Sequence, residues 1–205
     1  MNLDHLVELE YGWGHLPPTD IIFNAFDKCN NDWRPTNILE IGFHLGHSTT
    51  YLLEIFEQAK VTTVSPAYEF HQNHVLERQR AKIKGEIPEN LDKHTAETRR
   101  EMALVMKEKY GDRFNWIPTQ TCDAFDALEK YGPFDFALID GQHSYENTTV
   151  DLNCCALFGI KHLLIDNIDQ HPVLSAVNHS KWNMINMFPY VSDDENINVM
   201  GLLIL

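Results

Sequence analysis

An apolar run that ends in a carboxylate and two glycines, ILEIGFHLGHSTT at residues 38–50, is the feature that most constrains this chain. Ile38, Leu39 and Ile41 read as a buried parallel strand, with Glu40 inside it. Gly42 and Gly46 bracket a turn that opens into a helix capped by its Ser/Thr residues. Gly42 lets the backbone turn sharply, and Gly46 allows a ligand to approach closely. A side chain at Gly42 is therefore expected to obstruct the ligand and leave the fold intact. Glycines in a GxxxG spacing are neither the GxGxxG of dinucleotide binders nor a phosphate loop, which continues with Gly-Lys-Ser/Thr. The pattern argues against a pyrophosphate ligand, and a tight strand–helix turn that binds nothing is the alternative.

The 205 residues suffice for one well-buried α/β domain over 1–205 and are short for two. The formal net charge of −14 disfavours a nucleic-acid partner held through phosphates, and equally an anionic membrane surface. Asp4, Glu8 and Glu10 interrupt the first residues, so neither a signal peptide nor a membrane span is expected and a cytoplasmic protein is. Cys29, Cys122, Cys154 and Cys155 contain no CxxC and read as reduced thiols, mostly buried.

Strand and helix patterns alternate along the chain. A helix entry at Pro17–Asp20 precedes the first strand (38–42), which leads into a helix over about 48–58 and a second strand at 61–65. A charged stretch, 67–112, is expected to form two helices split near Gly85 and Pro88. Strands then follow at 114–119, 134–140 and 162–166, with helices at 147–158 and 173–182 after the last two. MINMFPYV and VMGLLIL close the chain as a hairpin. Single helices between strands imply parallel pairing and a doubly wound, mostly parallel Rossmann-like α/β sheet with a C-terminal antiparallel hairpin. Ligands of such sheets bind beyond the carboxyl ends of the strands. The turns to inspect are then 42–48, 65 onwards, 121–123, 140–143 and 166–169. The charged stretch balances nine basic residues with nine acidic ones, which suits solvated helix faces or a homo-oligomer contact. A lid over the acceptor is the sharper alternative.

ExGxxxGxS at the first strand, IDGxHSYE at the fourth and LIDN at the fifth occur in this order over about residues 36–205. Together they resemble the class I S-adenosylmethionine-dependent methyltransferases. EIGFHLGHS is similar to the first motif of the catechol and caffeoyl-CoA type O-methyltransferases. FDFALIDGQHSYENTTVDL is similar to a related group that often acts on glycans or natural products. The resemblance implies that Gly42, His44 and Ser48 line the methionine part of the cofactor, with Glu40 supporting the loop. Ser65 stands where the family has an acidic residue that grips the ribose; a serine makes one neutral hydrogen bond there where a carboxylate takes two charge-assisted ones. Thr121, Cys122 and Asp123 take the adenine turn, with Asp123 as helix N-cap the alternative.

Asp140 and Asp166 end neighbouring strands about 5 Å apart, so their carboxylates can converge. With the amide oxygen of Asn167 they form a hard oxygen shell suited to Mg²⁺, and the resemblance implies a metal site of Asp, Asp and Asn. The alternative leaves Asp140 to cofactor or backbone hydrogen bonds and Asp166 to a turn. His143 falls where the catechol type places a lysine base, and an imidazole that titrates near neutrality suits proton abstraction from a hydroxyl. Tyr145 is expected to pack on the sheet edge, and Asp151 to pair within its helix. These residues imply an O-methyltransferase for a hydroxylated small molecule or glycan, with Asp140 and His143 at the reacting centre. A metal-independent N- or carboxyl-methyltransferase, or a binding module with a weakened cofactor site, is the alternative.

Overall fold

The computed structural model describes residues 33–43, 46–66, 91–191 and 197–205. His44, the helix entry at 17–26 and the expected helix break near Gly85 and Pro88 lie outside them. Five short strands run parallel: β1 (Asn37–Ile41), β2 (Lys60–Val64), β3 (Phe114–Ile117), β4 (Phe136–Ile139) and β5 (His162–Ile165). The chain closes with β6 (Asn183–Val191) and β7 (Ile197–Ile204), an antiparallel hairpin whose β7 pairs antiparallel with β5. The spatial order is β3-β2-β1-β4-β5-β7-β6. The hairpin thus inserts β7 beside β5 and leaves β6 at the edge.

Alternate residues of each strand feed two cores, as period-two geometry requires. Ile38, Val61, Phe136 and Leu164 face one side, with Leu52 and Leu53 of α1 (His47–Ile55) and Met102, Ala103 and Met106 of α2 (Leu91–Tyr110). Leu39, Val64, Ala137 and Leu163 face the other. They meet Leu128 of α3 (Phe125–Leu128), Leu152 of α4 (Tyr145–Leu157) and Val173 and Val177 of α5 (His171–Asn178). Helices cover both faces, so the strands read as continuous apolar runs.

Helix ends depart from the sequence expectations for local reasons. Gly46, at φ +78°, occupies the N-cap of α1 and has no side chain to cap it, while the Ser48 and Thr49 hydroxyls of the first turn bond Glu40 instead. The C-terminal carbonyls of α1 are taken by Arg113, whose guanidinium donates to Leu53 O (2.6 Å) and Phe56 O (2.9 Å), and the helix stops at Ile55. Ser144 caps α4 by accepting from Asn147 N at 3.2 Å, which starts that helix at Tyr145. α5 ends at Asn178, short of Trp182. Ser180 Oγ turns back to Val177 O at 2.7 Å and accepts from Trp182 N, drawing the backbone out of the helix. Met102, Ala103 and Met106 of α2 belong to the core layer while Leu104 and Val105 are exposed, and Lys109 and Tyr110 bond Glu54 of α1 at 2.8 and 2.6 Å. The described part of the charged stretch, α2, is therefore packed on the sheet, and the rest of it, 67–90, lies outside the described residues. Among the described residues no helix is long and apolar enough to cross a membrane.

Candidate active site

From β1 the chain winds outward through β2 to β3 and then returns to place β4 on the other side of β1. This topological switch point, between the carboxyl ends of β1 and β4, is where an open α/β sheet has its ligand crevice. Gly42 stands there at φ +108°, and its N–H donates to Val64 O at 2.9 Å. A Cβ on Gly42 would collide with the backbone carbonyl of Asp140. Glycine is thus needed for the close approach of two strand ends. Gly46 is bare for a packing reason too: a Cβ would lie 2.5 Å from Met106 Sδ and 2.8 Å from Phe43.

Glu40 is fully buried below this turn. Ser48 donates to its Oε1 at 2.5 Å, and Thr49 and Thr63 donate to Oε2, the latter at 2.6 Å. Burial pushes the Glu40 carboxyl up to about 7 against the opposing pull of these hydroxyls, and the nearby Asp140 charge adds to the rise. Glu40 therefore ties β1, β2 and α1 together under the turn, as a loop support. The Ser48 hydroxyl is engaged in that support. Thr49 and Thr63 escaped the sequence reading because an alternating strand gives no sign of which hydroxyl will meet a buried acid.

Beyond β2 and β3 the turns continue the same crevice. Ser65 is buried, and its carbonyl accepts from the Trp116 indole at 3.2 Å. Arg99, also buried, donates to Pro66 O at 3.2 Å. Thr121 is buried while Cys122 and Asp123 are exposed on a 3₁₀ turn. Ala124, not Asp123, holds the N-cap position of α3. Asp151 does not pair within its own helix. Burial pushes its carboxyl up to about 6, against the opposing pull of the Thr121 hydroxyl and the charge of His143. Tyr145 is exposed and reaches His179 Nδ1 at 3.4 Å, bridging α4 and α5 instead of packing on the sheet edge.

At the β4 and β5 ends, ligand atoms of Asp140, His143 and Asp166 all lie within 4.8 Å of one another. His143 Nε2 is 3.6 Å from Asp140 Oδ1, an ionic contact too long for a hydrogen bond, and Nε2 has no hydrogen-bond partner among the described residues. Burial alone would lower the His143 pKa; the Asp140 carboxylate, with Asp166 and Asp169 behind it, outweighs burial and raises it. Asp166 is buried, and desolvation and the Asp140 charge push its carboxyl up to about 7. Tyr190 donates to Asp166 Oδ1 at 2.7 Å. Asn167, at φ +52°, is turned so that its amide nitrogen donates to Asn198 Oδ1 at 3.2 Å. The expected pair of carboxylates does converge, and His143 joins it as the third donor. Tyr190 went unnoticed because it lies in an apolar alternation, where an aromatic reads as core.

The polar turns after β3, β2, β1 and β4 sit side by side in strand order, a row that fits an elongated cofactor carrying base, ribose and amino acid. A family model described as a methyltransferase domain matches residues 39–158, more than half of the chain and every one of these turns. Among curated proteins no sequence matches. Solved structures of similar fold include an O-methyltransferase from Bacillus cereus in complex with SAH, 15% identical, covering 99% of this chain and 88% of that one at a TM-score of 0.62. The O-methyltransferase TomG from Streptomyces achromogenes, involved in tomaymycin synthesis and solved with SAM, is 13% identical over 98% of this chain and 85% of its own, at 0.59. Fibrillarin, a pre-rRNA processing protein from Methanococcus jannaschii, is 12% identical over 83% of this chain and 66% of its own, at 0.56. At such identities the likeness is one of fold, and the fold carries acceptors as different as these. The matched model, the strand order and the crevice at the switch point together make this chain a member of the methyltransferase domain family, built on the class I S-adenosylmethionine-dependent fold.

Proposed function

We propose that the protein is an O-methyltransferase that uses S-adenosylmethionine to methylate a hydroxyl of a small molecule or sugar. The observation that carries this is the convergence of Asp140, His143 and Asp166 at the carboxyl ends of β4 and β5, beside the first turn. S-adenosylmethionine supplies an electrophilic methyl group; Gly42 to Ser48, Ser65 and Thr121 to Asp123 are the positions that would hold it. Transfer forms the oxygen–methyl bond as the sulfur–methyl bond breaks, and the protein's main task is to keep the acceptor oxygen in line. His143 Nε2 receives the hydroxyl proton, and the Asp140 carboxylate 3.6 Å away stabilises the imidazolium that results. A neutral hydroxylated acceptor suits this end of the site, where Asp140, Asp166 and Asp169 would repel a polyanion.

The donors also fit a hard divalent cation, since two carboxylates and an imidazole lie within ligand distance of one another and Asn167 follows directly. Held by Asp140, Asp166 and Asn167, with His143 adjacent, such an ion would bind and acidify the acceptor hydroxyl.

Calorimetric titration with S-adenosylhomocysteine, with and without Mg²⁺, tests both levels. Binding of S-adenosylhomocysteine is expected, and a separate Mg²⁺ heat that vanishes in Asp166→Asn supports the cation. A folded protein that binds neither ligand is a binding module, and the enzymatic proposal fails.

A further inference from the structure

We propose that Tyr190 and Asn198 are positioning residues of the acceptor site, gripping Asp166 and Asn167 so that the C-terminal hairpin forms one wall of it. The inference rests on the function proposed above for Asp166. Tyr190 and Asn198 are direct cross-strand partners in the β6–β7 ladder, and residues so opposed project from the same face. Each reaches one of two consecutive residues beyond β5: Tyr190 OH donates to Asp166 Oδ1 at 2.7 Å, and Asn198 Oδ1 accepts from Asn167 Nδ2 at 3.2 Å.

The grip continues along the turn. Ile168 N donates to Val199 O at 2.9 Å, and Val199 N donates to Asp169 Oδ1 at 3.2 Å, so four successive residues after β5 are tied to the hairpin. Gly201 lets the two segments meet, since a Cβ there would lie 3.2 Å from Ile168.

Tyr190, Asp166 and Asn167 are all buried, at 5%, 5% and 8% exposure, so none of these bonds is a solvated accident. A buried phenol needs an acceptor, and a backbone carbonyl would meet that need. Here it takes one oxygen of the site carboxylate, Oδ1, which restrains the plane of that carboxylate. Asn167, at φ +52° in the left-handed region that asparagine tolerates better than most side chains, has its amide held in one orientation by Asn198.

The test compares the full-length protein with Tyr190→Phe, which keeps the ring and removes the hydroxyl, and with Asn198→Ala. Mg²⁺ and S-adenosylhomocysteine affinities are measured by calorimetry, and crystal structures report the Asp166 and Asn167 side-chain orientations. Tyr190→Phe is expected to weaken Mg²⁺ by roughly 10- to 100-fold, the usual effect of losing a partner that orients a ligand. S-adenosylhomocysteine affinity should stay within about twofold, a split that general loss of structure would not give. Unaltered Mg²⁺ affinity with an unmoved Asp166 carboxylate overturns the inference. Should the wild type bind no Mg²⁺, the cation reading fails separately, and the crystal structures decide: a rotated carboxylate in Tyr190→Phe upholds the positioning role and an unmoved one refutes it. Should Tyr190→Phe not fold, Asn198→Ala carries the same comparison through the orientation of Asn167.

Discussion

Ser48 donates its hydroxyl to Glu40 Oε1 at 2.5 Å, so two residues spaced as if to line one ligand face each other beneath the turn. Glu40 is harder to ionise in the folded chain than in the unfolded one, with its carboxyl moved from 4.5 to about 7, by burial first. The native state then binds more protons than the unfolded state between these values. Stability falls as pH rises through that window and is level above it. The contribution is of order 3 kcal/mol at most. Urea unfolding of the wild type should show this decline between pH 5 and 7, and Glu40→Gln should remove much of it. Asp151 and Asp166, pushed to about 6 and 7, act in the same direction and leave a residual slope. Equal slopes in the two proteins would mean that the Glu40 carboxyl is not perturbed.

Gly42→Ala should destabilise by about 3 kcal/mol or more, because the added methyl meets the Asp140 backbone and the residue is held at φ +108°. Gly46→Ala should cost less, since the atom its methyl meets at 2.5 Å is Met106 Sδ, on a side chain that can turn. Thermal unfolding orders the two. A Gly42→Ala protein of wild-type stability that has lost only cofactor binding would restore the simpler view of that glycine.

The alternation of apolar runs and helical patterns was enough to place the seven described strands and the parallel pairing of the first five, because a strand buried on both faces admits few polar residues, but not to show that β7 inserts beside β5. The convergence of Asp140 and Asp166 was equally legible, since adjacent strand ends must lie close. What the chain could not disclose locally is who meets whom across the sheet. Asp151 looked like a helix-surface acid and is instead buried. Tyr190 is 24 residues from the carboxylate it orients. The end of α1 failed for a related reason, since Arg113 acts on carbonyls that only the tertiary fold presents to it, whereas α5 ends through the local turn of Ser180 onto Val177.

Ser65→Asp should tighten S-adenosylhomocysteine binding by roughly 1 to 2 kcal/mol, the difference between charge-assisted and neutral hydrogen bonds. The carboxylate would enter beside Pro66, whose carbonyl already accepts from Arg99, a cation that favours the ionised form. Calorimetry decides. Unchanged or weaker binding would place the ribose contact elsewhere.

His143→Gln should leave S-adenosylhomocysteine binding intact and slow methyl transfer by roughly 10² to 10⁴, the range for losing a general base. Glutamine keeps a polar side chain of similar reach but cannot take the proton. The wild-type rate should fall as pH drops through the raised His143 pKa, because the protonated imidazole paired with Asp140 is no longer a base. In the variant that acid limb should disappear. Removal of divalent ions with EDTA separates the two proposed routes. Activity that survives EDTA and is lost in His143→Gln establishes proton abstraction by the histidine alone. Activity that requires Mg²⁺ and tolerates His143→Gln assigns the acidification of the hydroxyl to the cation, and His143 then contributes its place in the cluster and not its basicity.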